Sequence, residues 1–397
     1  MTTNLWIINQ YTSIPKFGFS SRHFHLAKHL ANKNQHITLI LGSVNYQTKK
    51  KSKKSFGHEQ LSPYLSAFWI PLIFTQKQYG FVRIINWIIF ALFILILPLF
   101  IRQRPKTIFY SSVGLPGALS STIIAFILKS KFIFEVRDIW PLSLVTFTNI
   151  SKQNPIYIAL HLAERFILKK ADLVVSPLPG LQDYLDHLKI TTRFKWLPQA
   201  GEISYKPNAP AVLQKRLKRF KIAYSGTLNK SNDLDSFMDM VKCLHSDETV
   251  EFCIIGDGPL SKHLLDMKAQ HKLDNLTIIG RVPQVELPLY LSEVDAFFHG
   301  AKDYDIYKYG ICPIKISEYL CYHRPLLQSY SGSYSISDSY GCGISVPHAN
   351  NNDLALAAKR LQTMDDRTYQ KLCKNSELAS IAVFNHKKVA GLLKKEI

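Results

Sequence analysis

Residues 220–259 read FKIAYSGTLNKSNDLDSFMDMVKCLHSDETVEFCIIGDGP, and this stretch decides the fold class. A short apolar run, FKIAYS, ends in a turn at Gly226 and is followed by the amphipathic segment DLDSFMDMVKCL. A second apolar run, VEFCII, then ends in a second glycine turn. Short apolar runs that alternate with helical segments indicate the buried strands of a parallel sheet with helices on both faces. The stretch therefore predicts an α/β fold.

The rest of the chain repeats this alternation. Further strands are predicted in the first half at NLWII, HITLILGS, TIFYSS, KFIFEV and DLVVSP. We predict two Rossmann-like parallel-sheet domains that face a central cleft, residues 1–203 and residues 204–380, with a C-terminal helix at 381–397 that packs back on the first domain. Open α/β sheets bind ligands at the carboxyl ends of their strands, so we expect the functional residues there.

The chain is strongly basic. Its 397 residues include 49 Lys and Arg against 29 Asp and Glu, a net charge of +20. Such a charge suits nucleic acid, phosphate-bearing substrates or an anionic membrane surface. Five lysines cluster in KKKSKK at 49–54, and no RNA- or DNA-binding signature accompanies them. We therefore predict that nucleic acid is not the partner.

A long apolar segment favours the membrane surface. Residues 84–101, IINWIIFALFILILPLFI, are nearly uncharged and are bordered by Arg83, Arg102 and Arg104. Their length reaches the lower limit of a membrane span, and a buried core helix is the alternative. Arginines and aromatic residues at the borders favour a helix that dips into the membrane.

The cysteines and histidines indicate neither a disulfide framework nor a metal site. All six cysteines lie in the second half without a CxxC pair, which predicts reduced thiols. The opening residues MTTNLWIINQ predict no signal peptide. The 14 histidines include no HExxH motif, and DYD at 303–305 is a short, common pattern, so we assign no metal.

The segment GICPIKISEYLCYHRPLLQS, residues 310–329, has the strongest features of a binding site. A turn with Pro313 leads into a predicted helix whose first amides, with Lys315, would favour an anion. Glu318 lies one turn further and can accept hydrogen bonds from a ribose diol. An ordinary amphipathic helix is the alternative. Glycine turns in YSGTL, IIGDGP and IIGRVP, each weak alone, end three other predicted strands and favour the binding site.

In this order and spacing the motifs resemble those of the family 4 glycosyltransferases, which have the two-Rossmann GT-B fold. FEVRDIWPLSL at 134–144, IIGDGP, GRVP and the pattern PxKxxEY look closest to the WbuB-like branch, which builds capsule and O-antigen saccharides. The resemblance covers essentially the whole chain and does not specify the sugar.

The resemblance implies that a nucleoside-diphosphate sugar, most simply a UDP-sugar, binds the second domain. Loop and helix residues would hold the diphosphate, Arg281 and Val282 the nucleobase, and Glu318 the ribose. The implied donor-binding residues are Gly18, Gly226, Thr227, Lys230, Gly256, Arg281, Val282, Ile314, Lys315, Ile316 and Glu318.

Two positions of the second domain depart from the family pattern. Gly310 stands where the family has the first of two paired glutamates, and Thr227 stands where it has an arginine. The pattern therefore leaves open what holds the donor sugar, and it leaves Lys230 as the expected carrier of the missing positive charge.

The resemblance places the acceptor on the first domain. Its implied acceptor-side residues are Phe17, Gly18, Arg22 and Glu135. Arg137 would orient the substrate or stabilise charge, and Asp138 would accept a proton or fix an acceptor hydroxyl. These two residues, opposite the donor diphosphate, and Glu318 on the donor side are the predicted catalytic residues. A structural ion-pair network of Glu135, Arg137 and Asp138 is the alternative.

The predicted protein is a cytoplasmic glycosyltransferase, peripheral or monotopic on the inner face of a bacterial membrane. It would transfer a sugar, with retention and without a cofactor, to a polyprenyl-diphosphate-linked saccharide. Helix amides and lysines can stabilise the leaving diphosphate without a metal. The alternatives are a non-hydrolysing nucleotide-sugar epimerase of the same fold, a basic nucleic-acid-binding protein and an inactive scaffold.

Overall fold

The structure is a computed structural model that describes residues 3–17, 21–45, 50–52, 55–74, 80–112, 114–148, 150–201, 219–348 and 350–397. It divides the chain into two units. Unit 1 comprises Met1–Pro198 and His386–Ile397, and unit 2 comprises Gln199–Asn385. The divisions therefore fall after Pro198 and after Asn385, a few residues from the predicted domain limits at 203 and 380.

Unit 1 contains an eight-stranded sheet and a separate two-stranded ribbon. The sheet has the order β10-β9-β8-β7-β1-β2-β6-β5, and every neighbouring pair is parallel except β5 with β6. The strands of unit 1, with the ribbon formed by β3 and β4, are β1 (Thr3–Ile8), β2 (Gln35–Gly42), β3 (Val44–Asn45), β4 (Lys50–Lys51), β5 (Gly57–Ser62), β6 (Leu65–Ile70), β7 (Thr107–Ser111), β8 (Lys131–Glu135), β9 (Leu173–Ser176) and β10 (Phe194–Trp196).

The antiparallel hairpin of β5 and β6 is the largest difference from the predicted strands of unit 1. β5 reads GHEQLS, and its side chains alternate between half-buried and exposed, so no apolar run marks it. β6 reads LSAFWI and is buried throughout, because it also pairs in parallel with β2. A polar edge strand of this kind blunts edge-to-edge association. Half of the lysine run 49–54 is described, and its residues Lys50–Lys51 form β4.

Two sets of helices cover the sheet of unit 1. The helices of unit 1 are α1 (Arg22–Leu30), α2 (Gly80–Phe100), α3 (Leu115–Leu128), α4 (Leu142–Phe147), α5 (Pro155–Lys170), α6 (Leu181–His187) and α14 (His386–Lys394). α2, α3 and α5 follow one another as neighbours, and α1 packs on α14. The crossover from β1 to β2 runs in the opposite direction along the sheet from the crossovers through α2, α3 and α5. Right-handed crossovers therefore place α1 on one face and those three helices on the other.

Helix α2 contains most of the apolar segment predicted at 84–101. It is the one helix in the described part of the chain that is long and apolar enough to cross a membrane, with mean hydropathy 2.4 and 28% of its apolar window buried. Asn86 is buried, and its side-chain amide donates to the carbonyl oxygen of Ile73 and accepts from the amide of the same residue. The polar residue is thus satisfied inside unit 1, while most of the apolar surface of α2 remains uncovered.

Unit 2 is an all-parallel six-stranded sheet in the order β13-β12-β11-β14-β15-β16. Its strands are β11 (Phe220–Ser225), β12 (Val250–Ile255), β13 (Leu276–Ile279), β14 (Ala296–Gly300), β15 (Leu326–Ser329) and β16 (Gly343–Val346). Its helices in the described residues are α7 (Leu234–Cys243), α8 (Ser261–Gln270), α9 (Leu287–Leu291), α10 (Ile314–Leu320), α11 (Ile336–Ser339), α12 (Asn351–Thr363) and α13 (Asp366–Ala382). Strand order reverses between β11 and β14, where ligands of open α/β sheets bind.

Candidate functional site

The loops after β11 and β12 pack backbone against backbone at the carboxyl edge of the unit 2 sheet. Gly226 has a φ of 142° and Gly256 a φ of 147°, values that residues with a side chain rarely adopt. A Cβ on Gly256 would lie 1.9 Å from the carbonyl oxygen of Gly226, and one on Gly258 would lie 2.4 Å from that of Leu228. Gly256, which the sequence assigned to the donor, therefore supports the loop of Gly226 from behind.

Lys315 is the cation that the fold brings to this edge. It lies in the first turn of α10, and its Nζ is 2.9 Å from both the hydroxyl oxygen of Tyr224 and Oδ1 of Asn232. The same ammonium lies 4.5 Å from the centre of the Tyr224 ring. It is 3.5 Å from the place that a Cβ on Gly226 would occupy. Among the described residues none forms an ion pair with Lys315, so this ammonium is suited to binding an anion.

Burial brings the titrations of Lys315 and Glu318 close together. It lowers the pKa of Lys315 to about 7, an effect that Glu318 opposes. Burial also raises the pKa of Glu318 to about 7, and Lys315 opposes that shift. Pairs of groups with strongly perturbed pKa values are typical of functional sites. An arriving anion would favour the charged ammonium.

Hydrogen bonds hold the loop that carries Asn232. The Asn232 side-chain amide donates to the carbonyl oxygen of Thr227 at 2.8 Å. The next residue, Asp233, is buried at a φ of 49°, and its Oδ2 accepts from the Ser329 hydroxyl at 2.7 Å. The same oxygen lies 2.8 Å from Nδ1 of His348. The loop is thereby fixed on both sides, with Oδ1 of Asn232 directed to Lys315.

Sequence reasoning missed three residues of this site. Tyr224 reads as a core position of β11, and Asn232 lies in the polar stretch NKSND, so neither had a distinguishing pattern. The third, His299, is buried near the end of β14, with Nδ1 3.4 Å from the side-chain amide of Gln328. Burial, and after it Lys315, lowers the pKa of His299 to about 3. Its position at a strand end was the one available signal.

Several other residues assigned to the donor lie on separate loops, and most of them are exposed. Lys230 is exposed in the short helix Lys230–Asn232. The residue Thr227 is also exposed, and its carbonyl oxygen accepts from the Tyr224 hydroxyl at 2.7 Å. Arg281 and Val282 follow β13 at the far edge of the sheet, and Arg281 is exposed. Their roles toward a diphosphate and a nucleobase stay predictions.

The first turn of α10 offers fewer free amides than the sequence suggested. The amide of Ile316 donates to the carbonyl oxygen of Pro313 at 3.1 Å, and its side chain is buried in the core. Ile314 is exposed. Lys315 is therefore the main group of this turn that is suited to binding an anion.

In unit 1 the strand end FEVRD contributes to a buried ion-pair network, with partners that differ from those of the alternative network of Glu135, Arg137 and Asp138. Glu135 is fully buried, and Arg22 Nε donates to its Oε1 at 2.9 Å, while His23 Nε2 lies 3.0 Å from Oε2. The Arg22 guanidinium also donates to the carbonyl oxygens of Leu197 and Pro198. Arg22 and Glu135 thus brace unit 1 internally, and their assignment to an acceptor stays a prediction.

Arg137 and Asp138 lie just after Glu135 in the chain, and exposure increases from Glu135 to Asp138. The amide of Arg137 donates to the Ser112 hydroxyl at 3.1 Å, which fixes the backbone. Its Nε is buried and has no hydrogen-bond partner among the described residues. Asp138 is exposed. A buried guanidinium nitrogen without a partner is uncommon in proteins, and the next residue in the chain has an exposed carboxylate.

The predicted glycine loop lies partly outside the described residues. Gly18 is among the residues that are not described. Phe17 is buried, and its ring meets Trp69 edge-on with 5.8 Å between ring centres. Its side chain is therefore a core contact of unit 1. In the described part of the chain, no group of three His, Cys, Asp or Glu residues is placed to hold a metal ion.

The chain was compared with protein families, with curated protein sequences and with solved structures. Residues 219–364 match the family described as glycosyl transferases group 1. No curated protein matches the sequence. Solved structures do match over nearly the whole chain at low identity, which shows a shared fold.

Three of these structures show the extent of the likeness. Sucrose-phosphate synthase from Thermosynechococcus elongatus has a TM-score of 0.72 at 14% identity, with 99% of this chain and 98% of that chain covered. Anabaena Alr3699/HepE in complex with UDP has a TM-score of 0.67 at 11% identity, with 100% and 99% covered. WaaG, a glycosyltransferase involved in lipopolysaccharide biosynthesis, has a TM-score of 0.65 at 10% identity, with 99% of both chains covered. These neighbours have the GT-B fold, which confirms the predicted fold class.

Proposed function

We propose that this chain, a glycosyltransferase of the GT-B fold, transfers a sugar from a nucleoside diphosphate to a saccharide carried on a polyprenyl diphosphate. The product would be a lengthened lipid-linked saccharide for a surface polysaccharide such as capsule or O antigen. The motifs FEVRDIWPLSL and PxKxxEY, which resemble the WbuB-like branch, support this choice of acceptor class.

The observation that carries the proposal is the environment of Lys315. Its ammonium contacts the neutral groups of Tyr224 and Asn232 beside the loop of Gly226. A half-buried cation without a paired anion has a desolvation cost, and a diphosphate would compensate it. The cleavage of a bond between a sugar and a diphosphate leaves negative charge on the leaving phosphate. Lys315 can stabilise that charge as it develops.

Glu318 is the proposed partner of the nucleoside. It lies one turn after Lys315 on α10, and burial raises its pKa to about 7. The nearby ammonium of Lys315 favours the ionised form of Glu318. An ionised carboxylate accepts two hydrogen bonds from a vicinal diol, which is the chemistry of a ribose. The proposed donor is a UDP-sugar, and the neighbour HepE binds UDP.

Arg137 and Asp138 are the proposed acceptor-side groups. The buried Nε of Arg137 has no described partner, so an anionic or hydroxyl-bearing acceptor would satisfy it. Asp138 is exposed beside it and would orient the attacking hydroxyl or take up its proton. We also propose retention of anomeric configuration and a location on the inner face of a bacterial membrane, to which the uncovered surface of α2 would bind.

A donor screen tests the proposal. Purified protein is incubated with UDP-, GDP- and dTDP-sugars, with and without an extracted lipid-linked saccharide, and released nucleoside diphosphate is measured. We expect release with one UDP-sugar, and only when the acceptor is present. Release without acceptor, with formation of an epimerised sugar, would support an epimerase instead. No release with any donor would contradict the proposed function.

The pH dependence of nucleotide binding tests the role of Lys315 directly. Because its pKa is lowered to about 7, the ammonium is charged below pH 7 and is neutralised as the pH rises through 7. Glu318 titrates in the same range, so the comparison is made between wild type and Lys315→Arg, which both keep this carboxyl. We expect UDP binding by the wild type, relative to Lys315→Arg, to weaken by about tenfold between roughly pH 6 and pH 8, measured by calorimetry. Arginine remains charged throughout this range, so Lys315→Arg should flatten this part of the profile. An unchanged profile in Lys315→Arg would exclude Lys315 as the titrating group.

A further inference from the structure

We infer that unit 1 docks on an anionic lipid bilayer through one face built from three helices, α2, α3 and α5, and that this face delivers the lipid-linked acceptor to the segment RDIW at 137–140. The inference rests on the proposed function for the identity of the acceptor. It extends the membrane contact from the single apolar helix expected from the sequence to a surface of three helices.

Helix α2 presents one exposed apolar stripe along its whole length. Ile84, Ile88 and Leu92 recur at four-residue spacing, and Leu99 near the end is 79% exposed. Side chains at this spacing lie on the same side of a helix. The opposite side, with Phe90, Ile94 and Leu97, is buried in unit 1. The helix is therefore a core helix on one side and an uncovered apolar surface on the other.

Helices α3 and α5 have exposed apolar stripes of the same kind. On α3, Ile123, Phe126 and Ile127 are exposed, and Phe126 reaches 86%. On α5, Ile158, Leu162 and Phe166 recur at four-residue spacing and are exposed as well. The sequence alone predicts ordinary amphipathic or core helices here. The exposure of these aromatic and aliphatic residues shows that no other element among the described residues of unit 1 covers the stripes.

The three stripes belong to one surface. α3 neighbours both α2 and α5, and right-handed crossovers place all three on the same face of the eight-stranded sheet. Monomeric soluble proteins rarely expose contiguous apolar patches larger than a few hundred Å². A surface with contributions from three adjacent helices requires an occupant.

The chemistry of this surface fits lipid better than protein. α2 has no charged residue after Arg83, and α3 has none at all. The hydroxyl groups of Ser121 and Thr122 on α3 are buried and donate to carbonyl oxygens of their own helix. Protein interfaces normally contain about one hydrogen bond per 100–200 Å², and these stripes offer few groups for them.

Cations border the surface at both ends of its helices. Arg83 is near the start of α2, and Arg102 and Arg104 follow its end. The pair Lys169 and Lys170 closes α5. All five are exposed, and Lys129 after α3 and Lys152 before α5 are exposed too. Basic residues around an apolar face match the anionic headgroups of a bilayer.

The acceptor-side motif lies next to this surface. Trp87 on α2 packs edge-on against Trp140, with 5.7 Å between ring centres. The indole N–H of Trp87 donates to the hydroxyl of Tyr11. Trp140 belongs to the segment that also contains Arg137 and Asp138. A lipid diphosphate held in the bilayer under α2 would therefore emerge close to the unpartnered guanidinium nitrogen of Arg137.

Vesicle flotation tests the three-helix face. The full-length protein is mixed with vesicles of phosphatidylcholine and phosphatidylglycerol in equal parts. The double variant Phe126→Asp/Leu162→Asp changes α3 and α5 and leaves α2 intact. We expect its partition onto vesicles to fall at least tenfold, because two large apolar side chains can no longer be inserted. Leu356→Asp on unit 2 is the matched control, since Leu356 is 66% exposed and Leu162 is 61% exposed; it should float like the wild type.

The readouts separate this inference from the proposed function. UDP binding is measured on the same proteins in the absence of lipid, and we expect it to be unchanged in both variants, since unit 2 binds the donor. Undiminished flotation of the double variant would overturn the three-helix face while leaving the donor site intact. The three-helix face would also be overturned if the wild-type protein did not bind vesicles but formed a dimer that the double variant cannot form. If the wild-type protein does not bind UDP, this result would instead contradict the proposed function.

Discussion

Lys315→Met is expected to lower kcat/KM for the nucleotide-sugar donor by about 10²–10³-fold. The ammonium of Lys315 is held by Tyr224 and Asn232 beside Gly226, where the leaving diphosphate is proposed to bind. Its charge would interact most strongly as the sugar–phosphate bond breaks, so a large part of the loss should appear in kcat. Steady-state kinetics with the donor identified by the screen would measure both parameters.

The variant should fold normally, because methionine has a similar length and removes a half-buried charge. A melting temperature equal to or above that of the wild type would check this. Two further variants provide the comparison. Lys230→Met removes the cation that the sequence favoured, which is exposed, and Lys262→Met removes an exposed lysine of α8. Both should reduce kcat/KM far less than Lys315→Met. A loss in Lys230→Met as large as that in Lys315→Met would contradict the assignment of the main cation.

Arg22→Met is expected to destabilise unit 1 by about 3–5 kcal/mol, because it leaves the buried carboxylate of Glu135 without its main partner. The variant also leaves the carbonyl oxygens of Leu197 and Pro198 without a donor. Chemical denaturation at neutral pH would measure the change in the free energy of unfolding. Lys16→Met is the control: the ion pair of Lys16 with Glu59 has a similar distance of 2.8 Å but is partly exposed. Its removal should cost about 1 kcal/mol or less.

The pH dependence of stability should change sign between wild type and variant. Burial acts to raise the pKa of Glu135, but Arg22 and His23 outweigh it and hold that pKa well below its usual range. In the wild type this stability is complete above the ordinary carboxyl pKa and is lost as the pH falls below about 4. Without Arg22, burial should raise the pKa of Glu135. Mild acid should therefore reduce the deficit, which is the difference in the free energy of unfolding between wild type and variant. A deficit that does not change with pH would mean that packing, and not the buried charge, is responsible.

The agreement between sequence and structure is closest where the signal is local. The alternation of apolar runs and amphipathic segments predicts two α/β units, and the strands from β11 to β16 lie where their apolar runs indicate. Glycine turns such as those at Gly226 and Gly256 are also local, because a positive φ restricts the residue type at that position. The three-residue spacing of Lys315 and Glu318 already places both on one side of a short helix.

Differences arise where the outcome depends on contacts between distant segments. β5 has no apolar run and becomes a strand because β6 pairs with it. Glu135 was grouped with Arg137 and Asp138, its neighbours in the chain. Its partners are instead Arg22 and His23, which precede it by more than one hundred residues. Chain proximity, on which the alternative network of Glu135, Arg137 and Asp138 rested, therefore did not identify the residues that form ion pairs with Glu135.

By itself the sequence determined the fold class, the positions of the glycine turns and the presence of a cation and a carboxylate at the start of α10, because each depends on backbone conformation and burial within a few residues. Only the tertiary structure decided which lysine is held at the sheet edge, which charges pair inside unit 1, and that α2, α3 and α5 form one uncovered apolar face. Periodicity reports whether a side chain is suited to burial. The packing of distant elements decides whether it is covered, and by which partner.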